Sequence, residues 1–385
     1  MANKNPLEQL LDYGQSVWYD NIARGLIKGG QIQNLIDNFG VRGVTSNPTI
    51  FEKAISAGSD YDDQIKTLVN EGKNAEEVFN ALAVEDIRNT ADLFRPVYDS
   101  SNGKDGYVSI EVSPTLAHDT EGTLKDARNF FSILDRPNIM IKVPATPEGI
   151  PAITTLIGEG INVNVTLIFS LDAYEDVANA YIAGLEKLAA SGKKPLDKVS
   201  SVASFFVSRV DTLVDKMLDE KIAATNDAAE KEKLENLKGK AAIANSKLAY
   251  ERFERIFSTE RFKKLEQQGA HRQRMLWAST STKNPKYRDV LYVEELIGPE
   301  TVDTMPPQTV DAFADHGQVA RTIDKDVDKS HKEIDALEAA GISMEKVTAQ
   351  LLAEGVKSFA DSFSKMLEGV EGKRQKIQKE LEVTR

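Results

Sequence analysis

Residues 138–149 read NIMIKVPATPEG. Ile139, Met140, Ile141 and Val143 give this run the apolar, β-branched character of a short strand, yet Lys142 stands in its middle. A buried ammonium loses its hydration and must find a counter-charge or give up its proton. Lys142 therefore lies on a wet face or serves chemistry. The neighbouring sequence bears on which.

Similar short runs recur along the 385 residues: SVWYD (16–20), VRGVTSN (41–47), YVSIEVS (107–113), INVNVTLIF (161–169), SVASFFVS (201–208), MLWAST (275–280) and VDTM (302–305). Helix-period stretches such as 25–40 and 171–190 separate them. Eight strands alternating with helices predict an α/β fold, a closed (β/α)8 barrel of the TIM type, as one domain over 1–385. An open doubly wound sheet alternates in the same way, but no G-x-G-x-x-G or P-loop motif opens any of the helices. Two segments exceed a minimal barrel. Residues of about 211–270 read as a helical insertion after the sixth strand, and those of about 308–380 as further helices closing the outer ring. Within the insertion, AEKEKLENLKGK (229–240) reads as a solvated helical face.

Side chains alternate sides along a strand. Ile139, Ile141 and Val143 oppose Met140 and Lys142; Val108, Ile110 and Val112 oppose Ser109, Glu111 and Ser113. Val163, Val165, Leu167 and Phe169 oppose Asn162, Asn164 and Thr166. Asp20 shares a side with Trp18, Asn47 with Thr45, Phe206 with Ser204, and Ser279 with Trp277. In most strands one face is apolar and the other carries a polar or ionisable group near the C-terminal end. An antiparallel sheet with one wet face would show this too, but the intervening helices argue for a parallel sheet covered on both sides. In a barrel these groups converge at the C-terminal mouth, where this fold places its active sites.

Composition narrows the chemistry. The net charge is −12, the isoelectric point is near 5.1, and no dense basic run suggests nucleic acid. There are no cysteines, which excludes disulfides, thiolate metal sites and cysteine nucleophiles. His118, His271, His316 and His331 lack metal-ligand spacing, so no metal is expected. No run approaches the roughly 20 apolar residues of a membrane span, and the N-terminal stretch has no apolar signal core. A cytoplasmic protein is expected, with monomer or homodimer left open.

An inward lysine without a metal suggests Schiff-base catalysis: the amine adds to a ketone, water leaves, and the iminium accepts electrons as the Cα–Cβ bond breaks. Two carboxylates in different environments, Asp20 and Glu111, can move the protons. Asn47 and Asn164 can hold substrate hydroxyls; Arg209 or Lys283 can hold a phosphate. Plainer roles exist for each. Lys142 and Glu111 can form a structural ion pair, Asp20 can cap the helix beginning in NIARGLI, Asn164 and Thr166 can bond within the barrel, Phe206 and Trp277 can be core, and Arg209 and Lys283 can be surface residues.

GVTSNPTIF (43–51) and IMIKVPATPEG (139–149) resemble the two transaldolase signatures, the second of which contains the family's Schiff-base lysine. GINVNVTLIFS (160–170), SFFVSR (204–209) and LWAST (276–280) resemble transaldolase strand ends in the family's order. The resemblance runs from about residue 15 to about 370 and is greatest to the longer transaldolases of actinobacteria and cyanobacteria. It implies a cofactor-free class I (β/α)8 enzyme of the non-oxidative pentose phosphate pathway. Such enzymes move a dihydroxyacetone unit from sedoheptulose 7-phosphate to glyceraldehyde 3-phosphate, giving erythrose 4-phosphate and fructose 6-phosphate. By motif position Lys142 is the nucleophile. Asp20 takes the C4 hydroxyl proton, and Glu111 shuttles protons with a water held near Thr166. Asn47, Asn164 and Ser204 hold the dihydroxyacetone unit, Thr45 supports the site, and Ser279 and Arg209 bind phosphate. Phe206 lies where family aldolases tend to differ and is transaldolase-like. One position departs: where many transaldolases carry an arginine, two residues after the serine matching Ser279, this chain has Ser281, and Lys283 is expected to supply the cation. The competing readings are an aldolase that releases free dihydroxyacetone and a non-catalytic sugar-phosphate-binding barrel.

Overall fold

The structure, a computed structural model, describes residues 4–383. Eight parallel strands close on themselves in chain order: β1 (Gln15–Tyr19), β2 (Val41–Val44), β3 (Val108–Glu111), β4 (Ile139–Pro144), β5 (Val163–Ile168), β6 (Ser201–Phe206), β7 (Arg274–Ala278) and β8 (Thr301–Met305). The ring is sealed by β1 pairing with β8, with Val17 opposite Asp303. Every run singled out in the sequence forms a strand. β2 stops earlier than its run because Asn47 accepts a hydrogen bond from Ile50 N–H and, with Pro48 in the first turn, starts the helix Pro48–Ser56.

The barrel interior is filled in layers. At the N-terminal end Arg274 is buried against Asp105, 3.0 Å away, and donates to Ser16 Oγ. Trp18 lies above and donates its indole N–H to Asp105. Gly43 makes room for it: a Cβ there would sit 2.7 Å from the Trp18 ring. The outer faces, with Ile139, Ile141, Val143, Val163 and Val165, are fully buried under the helices.

Strict alternation fails at two places, for identifiable reasons. In β5, Val165 pairs with Ala203 but Ile168 pairs with Phe205, so one extra residue bulges out, and Leu167 takes a left-handed φ of 59°. Leu167 and Phe169 therefore leave the face of Val163 and Val165, and Phe169 packs on Phe206 at 5.2 Å. In β7, Trp277 does not share the inward side. It stacks edge-on against Phe205 in the outer core, while Ala278 faces the interior. Ser279 still reaches the interior because its φ of 58° turns the chain over.

After β6 come the helices Ser208–Ala224, Ala228–Glu235, Ala241–Phe257 and Glu260–Glu266. The stretch 229–240 is solvated except for Leu234 and Leu237. Ala241–Phe257 differs in kind: Ala244, Ala249, Phe253 and Phe257 are fully buried, and Asn245 donates to the Phe169 carbonyl, so this helix belongs to the barrel wall. The last helix, Met344–Val383, is not confined to the outer ring as the sequence suggests. It crosses the C-terminal mouth, with Phe363 edge-on to Phe79 at 5.8 Å. Gly355 permits the approach, since a Cβ there would lie 2.9 Å from Leu167. No helix among the described residues is long and apolar enough to cross a membrane.

Candidate active site

β3, β4 and β5 place their chemistry in register. Glu111 pairs with Lys142, and Lys142 with Asn164. Lys142 is buried. Its Nζ donates to the Ser46 carbonyl at 3.0 Å and lies 3.5 Å from Glu111 Oε2, an ion pair too long for a good hydrogen bond. Glu111 Oε2 and Thr166 Oγ1 have no hydrogen-bond partner among the described residues. Burial pushes the Glu111 carboxyl above its ordinary range, against the pull of Lys142, and Asp20 adds to the rise.

Asp20 sits one residue past β1. Thr45 donates to Asp20 Oδ1 at 2.6 Å, and Thr45 and Thr304 hydroxyls are 2.6 Å apart. Since Thr45 spends its one proton on Asp20, Thr304 donates to Thr45, and the three form a directed chain. Burial raises the Asp20 carboxyl, opposed by Lys142, Thr45, Arg209 and Lys283. The capping role does not hold, because the following helix, Arg24–Lys28, starts after Ala23 without a side-chain cap. Asn47 is the residue that caps a helix, and its amide nitrogen remains available.

A cavity of about 180 Å³ joins these groups at the C-terminal mouth. Lys142, Asp20, Thr166, Thr45, Asn47, Ser204, Phe206, Arg209, Ser279 and Lys283 line it. Glu111 and Asn164 stand behind that lining. Asn164 accepts from Ser204 at 2.7 Å and donates to Ser109 at 3.1 Å, which leaves one N–H and one lone pair unused. Arg209 is not a surface residue: its guanidinium lies 5.1 Å from the Phe206 ring and 6.0 Å from the Phe359 ring. Burial lowers its proton affinity, and Asp20 and Glu354 counter this only through space. Lys283 Nζ donates to Ser281 Oγ at 2.6 Å, so the serine at the departing position orients the lysine. Burial lowers the Lys283 ammonium as well, and Arg209 adds repulsion. The half-buried Arg209 and the more exposed Lys283, two cations that repel each other across one cavity, make a site for an anion.

Sequence reasoning missed Thr304, Ser281, Gln308 and Phe359, all on the cavity wall. Alternation along VDTM could have found Thr304. Phe359 had no local signal: it comes from the long helix over the mouth, 5.9 Å from Lys142 Nζ. Among the described residues, no group of three or more His, Asp or Glu side chains is placed to hold a metal ion.

The family model for Transaldolase/Fructose-6-phosphate aldolase matches residues 17–370. The chain belongs to this family. It is 46% identical over 375 residues to a protein named Transaldolase from Trichodesmium erythraeum, covering 97% of this chain and 98% of that one. It is 48% identical to Transaldolase 1 of Streptomyces avermitilis, over 94% of both chains. It is also 48% identical to a Transaldolase of Thermobifida fusca, over 95% of this chain and 97% of that one. These transaldolase relatives are cyanobacterial and actinobacterial, as the sequence resemblance implied.

Proposed function

We propose that this barrel is a transaldolase, transferring a dihydroxyacetone unit between sugar phosphates through a Schiff base on Lys142. The observation that carries the reading is the juxtaposition of one buried amine, two carboxylates with raised proton affinity and a pair of cations about a single cavity. The ketone of sedoheptulose 7-phosphate lies against Lys142 Nζ, and its phosphate lies between Arg209 and Lys283 with Ser279. The amine adds to the carbonyl carbon. A nitrogen proton passes to the former carbonyl oxygen to give the carbinolamine; Glu111, whose neutral form burial favours, gives a second proton to that oxygen, and water leaves as the iminium forms. Thr166 offers its unpartnered hydroxyl to that water. Asp20, as the carboxylate that Lys142, Thr45, Arg209 and Lys283 favour against its burial, takes the C4 hydroxyl proton as the C3–C4 bond breaks. It returns that proton when glyceraldehyde 3-phosphate accepts the enamine. Asn47 and Ser204 hold the dihydroxyacetone hydroxyls, with Asn164 fixing Ser204 from behind. Phe206 and Phe359 keep water from the enamine, which favours transfer over release. The whole chain serves this one site.

The transfer reading requires an acceptor. Fructose 6-phosphate should disappear steadily only when erythrose 4-phosphate is supplied; sustained release of free dihydroxyacetone without it identifies an aldolase instead. The phosphate assignment is tested separately. Lys283→Ala removes one charge-assisted contact, worth about 1.5–3 kcal/mol, so KM for phosphorylated acceptors should rise about 10- to 100-fold. KM for unphosphorylated glyceraldehyde should hardly change. Equal effects on both acceptors place Lys283 outside the phosphate site.

A further inference from the structure

Glu111 does not line the substrate cavity, yet it is not sealed off. It lines a second cavity of about 30 Å³, room for one or two water molecules and too little for a sugar. Ser46, whose carbonyl holds Lys142, lines the same space. So does Asp126, which accepts from the Ser113 backbone N–H at 2.8 Å and whose carboxyl is raised by burial. The exposed Glu76 and the half-buried Asn80, both on the helix Ala75–Ser100, stand at its rim. The remaining wall is largely apolar and includes Phe51, Phe79, Phe130 and Phe363. Two carboxylates, Glu111 and Asp126, thus share the wall of one small cavity, and Asn47 lines both this cavity and the substrate cavity.

We propose that this cavity is a side entrance through which water and protons reach Glu111, with Asp126 as the relaying carboxylate. The inference rests on the Schiff-base reading above. In carbinolamine dehydration the C–O bond breaks, the Glu111 proton goes to the leaving oxygen, and one water and one iminium result. Glu111 is left as a carboxylate and must regain a proton. The water must also go somewhere while the sugar phosphate fills the main cavity. The side entrance serves both needs: water leaves along it, and a proton passes from Asp126 through that water to Glu111. Hydrolysis runs the same path backwards.

The test is loss of ¹⁸O from fructose 6-phosphate labelled at its C2 carbonyl, followed by mass spectrometry with the full chain and no acceptor. Asp126→Asn keeps the volume and the Ser113 contact but cannot relay a proton. Asn80→Phe fills the rim without touching a titratable group. Both should slow ¹⁸O loss about tenfold at unchanged KM for fructose 6-phosphate, and Asp126→Glu should restore it. A purely structural role for Asp126 would lower the melting temperature and leave exchange alone. Wild-type exchange in both variants, or a KM that rises in step with slower exchange, overturns the side entrance. A wild-type chain that loses no ¹⁸O overturns the Schiff-base reading itself, and the side entrance with it.

Discussion

Lys142→Met should leave a folded barrel that no longer couples to a ketose. Transfer between fructose 6-phosphate and erythrose 4-phosphate should fall by about 10⁴-fold or more, because the step that creates the electron sink is lost rather than slowed. Borohydride added with fructose 6-phosphate should reduce an adduct onto the wild-type peptide containing residues 138–149 and give none with the variant. Removing one member of a buried ion pair ordinarily costs about 3–5 kcal/mol, through the charge left behind. Here that charge can vanish. Burial already favours the neutral form of Glu111, and without Lys142 nothing in contact opposes it, so the carboxyl takes up a proton. Methionine fills the space of the lysine stem beside Phe359. The melting temperature should therefore drop modestly while activity disappears. Turnover retained in the variant, or an adduct on another lysine, removes the amine from the mechanism.

The fold was legible because each strand carries its own signal. Parallel strands buried on both faces must be short, apolar and bounded by helices, and all eight runs have that form. The inward chemistry of β3, β4 and β6 followed from alternation alone, since Glu111, Lys142 and Ser204 keep the pleat. Alternation failed at Leu167 and Ser279, where left-handed backbone re-aims the chain just at the mouth. Neither residue type announces such a conformation, because ordinary side chains rarely adopt it. The long last helix was read as helix, but its path was not. Its placement depends on a gap opposite Leu167 that only Gly355 leaves, and that contact joins positions nearly two hundred residues apart. Phe359 inherits the same invisibility. Lys283 was read as the stand-in for the arginine missing from the family pattern and lines the cavity, and Ser281, taken only as a departure from that pattern, is its hydrogen-bond partner.

Asp20→Asn should separate catalysis from stability in opposite directions. Asparagine keeps the acceptor for Thr45, so the chain from Thr304 through Thr45 stays intact. It cannot take the C4 proton, and transfer should fall about 10²- to 10⁴-fold, the range for a lost general base. Schiff-base formation precedes that proton transfer, so borohydride should still trap fructose 6-phosphate on Lys142. In the wild type, burial holds the Asp20 carboxyl above the ordinary aspartate range despite Lys142, Thr45, Arg209 and Lys283. The folded state therefore binds this proton more tightly than the unfolded chain. Stability falls as pH rises from the unfolded value through the folded one, and above both the full cost of holding the carboxylate remains. The variant has no such cost. Its melting temperature at pH 7 should equal or exceed the wild type, and the difference should shrink as pH drops through that window. Wild-type activity should be lost over the same window, as the base becomes protonated and cannot accept the C4 proton. A variant that melts well below the wild type at pH 7, or that fails to trap the ketose, would mean that Asp20 holds the site together instead of moving a proton within it.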